Sequence, residues 1–555
     1  MHVTETAAAR SRHGFVGQLF TGRLRWDLLA AFPTQDADDL GRGDAVIAEL
    51  RAFLRGHVDP EQVEAGGALP GGYVDGLRAH RLLNLQPGPE LGGRGLSFIN
   101  VMRAIEAAMA WCLPAGYVLA LHNGFGAGAV APIIPPGPTL DYVRDRIAAG
   151  AVSGWADSEP TGAGNTHMAT VAVPVPGGYR LTGEKIFIVN GSIADLLVVT
   201  ATLGGDAARE TRVFFVDTRA SGFRVRLVQQ LMGLRGLPIA ALALDGVHVP
   251  AEAMLSTVEP HWRDTPLLEP ISALARMYVI VAASLAVARR CVGWASEFIA
   301  RRRVDGQPLA GYEAIRRLVA DNAAEAFAIE SVAHAALIGL DHGNLATRWF
   351  EQVAAKNLAS RSCDRIVDRT MSLMSAEGYE TAASKARRGA PAVPLERAVR
   401  DARAFRIAGG VDFLIDYYAV RDGLLPLCEA APAPPAGPVA DPRLSRRNAA
   451  HLEAVAGEVD RLGGHGRALR SRHDLDELHR RQRTLILTGQ IAHELFAMAA
   501  TLARAAALGD AGQALADVYC TAARHRVAAA WLELAADADR DLDPSIAACL
   551  RSTTM

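Results

Sequence analysis

The chain has 555 residues, half of them hydrophobic, enough for about three to four domain-sized units with a large core. Its 58 basic and 60 acidic residues give a net charge near −2. That balance argues against a dedicated nucleic-acid binder and against an acidic disordered tail. Only three of the basic residues are lysine, and this excess of arginine indicates a GC-rich bacterial genome.

Cysteine spacing and hydropathy exclude further classes of protein. The six cysteines form no CxxC pair, so they predict neither a zinc site nor a disulfide framework, and we expect no metal. The N-terminal residues contain no apolar signal-peptide core, and no run of about 20 residues lacks charged and polar breaks. We therefore expect a cytoplasmic protein without a membrane-spanning helix.

The spacing of apolar residues changes along the chain. Residues 14–150 show helical spacing, residues 151–255 contain short β-type runs separated by turns, and residues 262–428 return to helical spacing. The Pro- and Ala-rich segment 429–442 predicts a linker, and residues 443–550 predict a further helical domain. The predicted fold class is α+β, with the strands forming a sandwich or a barrel.

Five segments, in the same order, resemble motifs of the acyl-CoA dehydrogenase superfamily. They are SEPTGAGNT (158–166), GEKIFIVNGSIADLLVV (183–199), MGLRGLPIAALALDGVHVP (232–250), RRVDGQPLAGYEAI (302–315), and AEGYE followed by RAVRDARAFRIAGGVDFL (376–414). Family patterns that they resemble include TEP-x-AGSD, G-x-K-x-W-I-[TS]-N-G and RD-x-R-x-x-x-I-x-EGT. Five ordered matches are far more specific than any one alone.

Segments near both ends resemble the very-long-chain branch of this family. They are FVGQLFTGRLRWDLLAAFP near the N-terminus, and LILTGQIAHELFAMAATLARA and DVYCTAARHRVAAAWL near the C-terminus. The resemblance implies a helical domain, a central β-domain, a four-helix bundle and an extra C-terminal helical domain. It also implies a homodimer that binds FAD between its subunits and oxidises the Cα–Cβ bond of acyl thioesters in fatty acid metabolism.

The flavin site implied by the resemblance is only partly kept. The flavin-binding positions correspond to Trp155, Asp157, Ser158, Phe187, Val189, Arg302, Ser372 and Val411. Val189 stands where the family has Thr or Ser, and its side chain cannot donate a hydrogen bond. Asp305 stands where the family has Phe, and an anion beside the FAD pyrophosphate is unfavourable. We therefore expect FAD as the cofactor, bound weakly or not at all.

The catalytic base is missing at both positions that the family uses. Dehydrogenation requires a carboxylate to remove the α-proton while hydride leaves Cβ. The Glu of the EGT motif corresponds to Gly409. In a minority of the family the Glu precedes a conserved Arg, which corresponds to Arg276, and the preceding residue here is Ala275.

Asp412 is the alternative base that the sequence offers. It lies three residues beyond Gly409, about one helical turn on, and could share a helix face with it. A carboxylate at that place equally caps or solvates a helix start. Glu377 and Glu396 are weaker candidates.

Two kinds of function follow from this pattern. The first is a divergent flavoprotein oxidoreductase that acts on an acyl thioester of CoA or a carrier protein, with an electron-transfer partner. The second is a non-redox or FAD-poor protein that reuses the acyl pocket, for example as partner of a conventional dehydrogenase. A flavin monooxygenase, which needs no α-proton abstraction, is a further alternative. In each case the backbone N–H of Gly409 remains available to a thioester carbonyl.

The last predicted domain carries an apolar helix face. Its members are Leu485, Ile491, Leu495 and Met498. An apolar face needs a partner surface, so we expect a homodimer, with the 443–550 domain packed on the main helical bundle. The alternative is peripheral contact with a membrane through the same face.

Overall fold

The computed structural model describes residues 14–162, 167–204, 210–255, 268–429 and 439–537. It divides into two compact units. The first comprises Met1–Gly14 and Phe32–Gly410, and the second comprises Phe15–Ala31 and Val411–Met555.

This division differs from the predicted domains at two places. The N-terminal helical segment that begins at residue 15 groups with the C-terminal helices, because its side chains pack there, as the 6.0 Å separation of the Phe15 and Phe496 rings shows. The second boundary falls after Gly410, so the last helices of the predicted bundle join the second unit. Of the predicted linker, residues 430–438 lie outside the described residues.

The chain before the sheet is helical. Its helices are α1 Phe15–Phe20, α2 Asp27–Ala30, α3 Ala37–His57, α4 Pro60–Gly66, α5 Tyr73–Ala79, α6 Phe98–Trp111, α7 Leu113–Phe125, α8 Ala127–Val130 and α9 Pro138–Ala148. Helix α3 begins where the carboxylate of Asp36 accepts hydrogen bonds from the N–H groups of Asp38 and Asp39. One face of α3 is buried through Leu50 and Leu54.

Eight strands between Ser153 and Leu255 form one mixed sheet. The strands are β1 Ser153–Ala156, β2 Val171–Val175, β3 Gly178–Val189, β4 Leu196–Leu203, β5 Thr211–Asp217, β6 Phe223–Val228, β7 Ile239–Pro250 and β8 Met254–Leu255. The order is β6-β7-β3-β2-β4-β5-β8, and β1 pairs with β4. The described strands are joined in one sheet rather than the two of a sandwich, and their order does not close into a barrel. β1 and β2 both pair in parallel with β4, while the other pairs are antiparallel.

The core of the β-domain lies between the sheet and helix α9. Strands β4 and β5 are buried along nearly their whole length, as continuous apolar runs predict. Leu140, Val143 and Ile147 of α9 belong to the same buried cluster as Val198 and Phe215 of these strands. β1 pairs with β4 in this sheet and carries Trp155, the first predicted site residue.

The remaining helices of the first unit follow the sheet. They are α10 Leu268–Arg276, α11 Ala282–Arg301, α12 Glu313–Leu337, α13 Trp349–Tyr379, α14 Ala382–Arg387 and α15 Leu395–Arg403. A π-helical turn, Met277–Val281, joins α10 to α11, and the hairpin β9 Arg303–Val304 and β10 Gln307–Pro308 follows. Helix α13 is broken at Ser375, whose φ is +53°.

The second unit is helical in its described parts. Besides α1 and α2 it contains α16 Asp412–Tyr418, α17 Arg446–Arg472, α18 Leu475–Arg480, α19 Gln482–Leu508 and α20 Asp510–Asp537. The predicted apolar face of α19 is buried inside this unit, where Leu485, Ile491, Leu495 and Met498 are at most 1% exposed. The face therefore has its partner surface within the unit, and it gives no support to the expected dimer contact or to membrane contact.

Within the described residues, two helical stretches are long and apolar enough to span a membrane by composition. They are Leu268–Arg301 and Gln482–Leu508, and 89% and 83% of their apolar windows are buried within the protein. Core helices have the same properties, so the two stretches are weak evidence for a membrane segment.

Candidate functional site

Trp155 lies on β1, beside the C-terminal end of α7. Its ring centre is 6.2 Å from that of Phe125, with the two planes tilted by 57°. β1 also lies against the end of β3, because a Cβ on Gly154 would be 2.8 Å from the carbonyl oxygen of Val189. The fold thus brings together Trp155 and Val189, two predicted flavin positions 34 residues apart in sequence.

The residues after β1 are held by a buried ion pair that the sequence analysis missed. Lys185 Nζ on β3 donates to Glu159 Oε1 (2.8 Å) and to the carbonyl oxygen of Asp157 (3.1 Å). Both side chains of the ion pair are at most 1% exposed. Thr200 Oγ1 donates to Asp157 Oδ1 (2.7 Å), and the carbonyl of Ser158 accepts from the Ile186 N–H (2.9 Å). Asp157 and Ser158 are therefore fixed to the sheet, while residues 163–166 of the same motif lie outside the described residues.

Burial and pairing shift the pKa values of both members of this ion pair. Burial lowers the pKa of the Lys185 ammonium, and Glu159 partly opposes that shift. Burial alone would raise the pKa of the Glu159 carboxyl, but the charge and hydrogen bond of Lys185 hold it below its usual range. Glu159 also accepts from the N–H groups of Ala169 (2.6 Å) and Thr170 (2.9 Å), so the carboxylate is well satisfied.

Phe187 lies on a bulge of β3. The pairing with β7 shifts register between Lys185 and Ile188, and Phe187 has a φ of +56°. Its N–H donates to Gln229 Oε1 (2.8 Å), and its side chain is 54% exposed. A bulged residue turned out of the sheet presents its ring to a ligand or to solvent.

Gly409 and Gly410 form a left-handed turn, with φ values of +67° and +97°. The Nε of Arg276, at the end of α10, donates to the Gly409 carbonyl (2.8 Å). The Nζ of Lys356, fully buried on α13, donates to the Gly410 carbonyl (2.7 Å). A Cβ at Gly409 would lie 3.3 Å from Arg276 Cγ, which is a tight contact. The predicted base position is thus a backbone turn held by two cations.

Ala275, the other predicted position for the base, has no room for a longer side chain. It is fully buried, and a Cβ on Gly124 would lie 3.0 Å from its Cα. The close approach of α7 and α10 at these two small residues depends on their size.

Val411 and Asp412 belong to the second unit. Val411 immediately precedes α16, and Asp412 is its first residue. The Asp412 carboxylate is 4% exposed and accepts a hydrogen bond from the Phe413 N–H (2.9 Å). This agrees with a carboxylate that stabilises a helix start. Its role as a base stays a prediction.

Arg302 and Asp305 lie at an exposed hairpin. Asp305 and Gly306 form its two-residue turn, with φ values of +49° and +79°. Aspartate followed by glycine is a favoured pair for such turns, so the replacement of Phe by Asp has a conformational cause. Arg302 is exposed and has no ion pair within the described part of the chain.

Ser372 and the weaker carboxylate candidates lie on or near the surface. Ser372 is exposed on α13, one turn before the break at Ser375. Glu377 pairs with Arg301, and Glu396 pairs with Arg400 (2.9 Å). These ion pairs occupy the two carboxylates.

Asp401, in the RD motif, is a further buried group without an assigned role in the sequence analysis. Its carboxylate is 3% exposed and accepts from the Leu234 N–H (2.5 Å), which ties α15 to the loop before β7. Burial raises the pKa of Asp401 to about 6, although the Leu234 N–H opposes the shift. Among the described residues no group of three or more His, Cys, Asp or Glu side chains is placed to hold a metal ion.

Comparison with protein families supports the predicted resemblance. The acyl-CoA dehydrogenase middle-domain model matches residues 154–247, and the acyl-CoA dehydrogenase C-terminal-domain model matches residues 273–413. Over these two segments the chain is similar to the acyl-CoA dehydrogenase superfamily. The predicted resemblance is confirmed, because both models cover segments that carried it.

Two similar proteins are named as acyl-CoA dehydrogenases. The chain is 28% identical over 447 residues to the probable acyl-CoA dehydrogenase FadE10 of Mycobacterium tuberculosis, covering 80% of this chain and 67% of the relative. It is 25% identical over 368 residues to the very long-chain specific acyl-CoA dehydrogenase of Bos taurus, covering 63% of this chain and 53% of that enzyme.

Solved structures confirm the acyl-CoA dehydrogenase fold. An acyl-CoA dehydrogenase of Bacillus anthracis, crystallised with FAD, superposes with a TM-score of 0.76 at 19% identity and covers 97% of this chain and 95% of its own. A glutaryl-CoA dehydrogenase of Mycobacterium smegmatis has a TM-score of 0.59 at 22% identity and covers 70% of this chain and 94% of its own. The first comparison includes the extra C-terminal helices.

Substitution of Lys185 tests how much the buried ion pair with Glu159 contributes to the unfolding free energy. Lys185→Met leaves a buried carboxylate without its cation and is expected to cost about 3–5 kcal/mol of unfolding free energy. The double variant with Glu159→Gln is expected to cost less, because the charge is removed as well. Urea unfolding followed by circular dichroism measures both. The control is Arg224→Met, which breaks the exposed pair with Asp245 and should cost about 1 kcal/mol or less. Equal losses for Lys185→Met and the control would refute the interpretation.

The turn at Gly409 generates a second prediction. Gly409→Ala adds a Cβ to a residue in the left-handed conformation, which costs about 1–2 kcal/mol of unfolding free energy. The added Cβ also lies against Arg276. Arg276 cannot retreat freely because its Nε is bound to the Gly409 carbonyl. The matched control is Gly389→Ala, where φ is +72° and no atom lies within 4 Å of the added Cβ. Urea unfolding should show a larger loss for Gly409→Ala. A loss no greater than in the control means that Arg276 does not confine this position.

Proposed function

We propose that the chain is a divergent acyl-CoA dehydrogenase-like flavoprotein that binds an acyl thioester but carries out ordinary α,β-dehydrogenation only very slowly. The observation that carries the proposal is the Gly409–Gly410 turn, which stands at the family's base position and is held by Arg276 and Lys356. The turn keeps a backbone N–H for a thioester carbonyl and offers no carboxylate for the α-proton.

The residues present fit FAD in part. Trp155 and the exposed ring of Phe187 offer aromatic surface near the adjoining ends of β1 and β3. Arg302 offers an exposed guanidinium for a phosphate. Val189 supplies no side-chain hydrogen-bond donor, which favours weaker binding. FAD, when bound, supplies the hydride acceptor.

The alternative of a non-redox protein loses one of its grounds. Asp305 was the anion expected beside the pyrophosphate, but its place in a two-residue turn explains the substitution without loss of the cofactor. Val189 and Gly409 remain the grounds for altered chemistry. A homodimer and an electron-transfer partner are proposed from the family alone.

The test compares two variants that differ only in a carboxylate. Gly409→Glu and Gly409→Gln carry the same backbone strain and nearly the same volume, but only the first supplies a base. The wild-type protein should show a yellow flavin band and little activity on straight-chain acyl-CoA with an artificial electron acceptor. Gly409→Glu should gain about 10²–10⁴-fold over Gly409→Gln, the usual contribution of a general base.

Three outcomes would count against the proposal. Rapid dehydrogenation by the wild-type protein would show that another group serves as base, and Asp412→Asn would be the next variant to assay. Equal rates for the Glu and Gln variants with FAD bound would show that the pocket has diverged beyond the base. A protein without a flavin band after reconstitution with FAD would favour the non-redox alternative.

A further inference from the structure

A cavity of about 410 Å³ opens in the first unit, among α4, the junction of α6 and α7, α11 and α15. Its apolar wall includes Trp111, Leu113, Val287 and Trp294. Its volume lies within the range of small-molecule sites, roughly 300–1,000 Å³. The residues proposed for the flavin and the thioester do not contribute to its lining.

The acidic groups of the cavity are already engaged. Glu61 is bound by Arg397 (2.7 Å). Glu64 is bound by Arg400 (2.8 Å). The Asp401 carboxylate accepts the Leu234 N–H, as described above.

Arg290 differs from Arg397, the ion-paired arginine of the same wall. It is half-buried, it lines the cavity, and within the described residues no carboxylate lies within ion-pair distance of its guanidinium. The guanidinium stacks on the ring of Trp294, 4.7 Å from the ring centre. Burial lowers the pKa of Arg290, as expected for a partly desolvated cation. Arg235, a second lining arginine, likewise has no ion pair in the described part of the chain.

We propose that this cavity binds a small amphipathic carboxylate, with the carboxylate on Arg290 and the apolar body against Val287 and Trp294. A guanidinium without a carboxylate partner recognises a planar anion through paired hydrogen bonds. The apolar wall distinguishes this ligand from an inorganic anion, which would leave the tryptophan surface uncovered. The cation distinguishes it from a neutral lipid, which would leave Arg290 unpaired.

Octanoate is the probe, and octanamide is its neutral partner of nearly the same shape. Isothermal titration calorimetry of the full chain measures both affinities, and the shift of the thermal unfolding midpoint with added octanoate measures binding independently. We expect saturable binding of octanoate, and octanamide affinity at least tenfold lower, because an ionic hydrogen bond is lost. Arg290→Gln should weaken octanoate binding at least tenfold.

The matched control is Arg316→Gln, which removes an exposed arginine on α12 and changes the net charge equally. It should leave octanoate affinity unchanged. Far-UV circular dichroism establishes that each variant is folded. Val287→Phe, which narrows the cavity at its apolar wall, should weaken octanoate binding without changing any charge. The proposal is overturned if octanoate and octanamide bind with equal affinity, or if octanoate does not bind. It is also overturned if Arg290→Gln binds octanoate as tightly as the wild-type protein, because octanoate would then bind elsewhere, such as in the thioester site.

Discussion

The carbonyl groups of Gly409 and Gly410 are held by cations from two different helices, and the candidate site depends on this arrangement. Arg276 ends α10, and Lys356 lies in the interior of α13. Consecutive positive φ values are inexpensive only for glycine, so the turn and the absence of a side chain go together. The predicted position of the catalytic carboxylate therefore lies in a turn whose backbone conformation favours glycine and whose carbonyl groups are bound by two cations.

The three lysines of the chain were the strongest unused signal in the sequence. In a chain that uses arginine almost everywhere else, Lys185, Lys356 and Lys385 are all fully buried. Each donates from Nζ to backbone carbonyl groups. Lys185 donates to Asp157 and Lys356 donates to Gly410. Lys385 donates to both Glu377 and Val393. A compact ammonium with three donors fits such places, where the planar guanidinium of arginine does not. The rarity of lysine thus marked buried sites, two of them beside predicted site residues.

The fold could be predicted from the sequence because its evidence is redundant. Helical and strand periodicity agreed with the order of five motifs, and the eight strands of the mixed sheet lie at Ser153–Leu255, within the expected window. The approach of Trp155 to the end of β3 followed from the family resemblance. The parallel pairing of β1 with β4 could not be predicted, because it depends on contacts between residues distant in sequence.

The candidate site was less predictable from the sequence than the fold. The pair Asp305-Gly306 is a hairpin signal in itself, but the family comparison placed Asp305 beside a cofactor. The apolar face of α19 was expected to pack on the main bundle or to contact a membrane. It packs within its own unit, where Cys520 Sγ of α20 lies 4.0 Å from the Met498 carbonyl oxygen. The Glu159–Lys185 pair joins residues 26 positions apart through the sheet, and neither residue type indicates burial by itself.

Proton exchange tests most directly whether this chain binds an acyl thioester without a base for the α-proton. The wild-type protein is incubated with octanoyl-CoA in D2O, and mass spectrometry follows deuterium at the α-carbon, with Gly409→Glu as the positive comparison. We expect the wild-type protein to bind octanoyl-CoA with α-proton exchange no faster than in buffer, and Gly409→Glu to exchange the α-proton faster. Rapid α-deuteration by the wild-type protein would contradict this expectation, because some other group would then remove the proton.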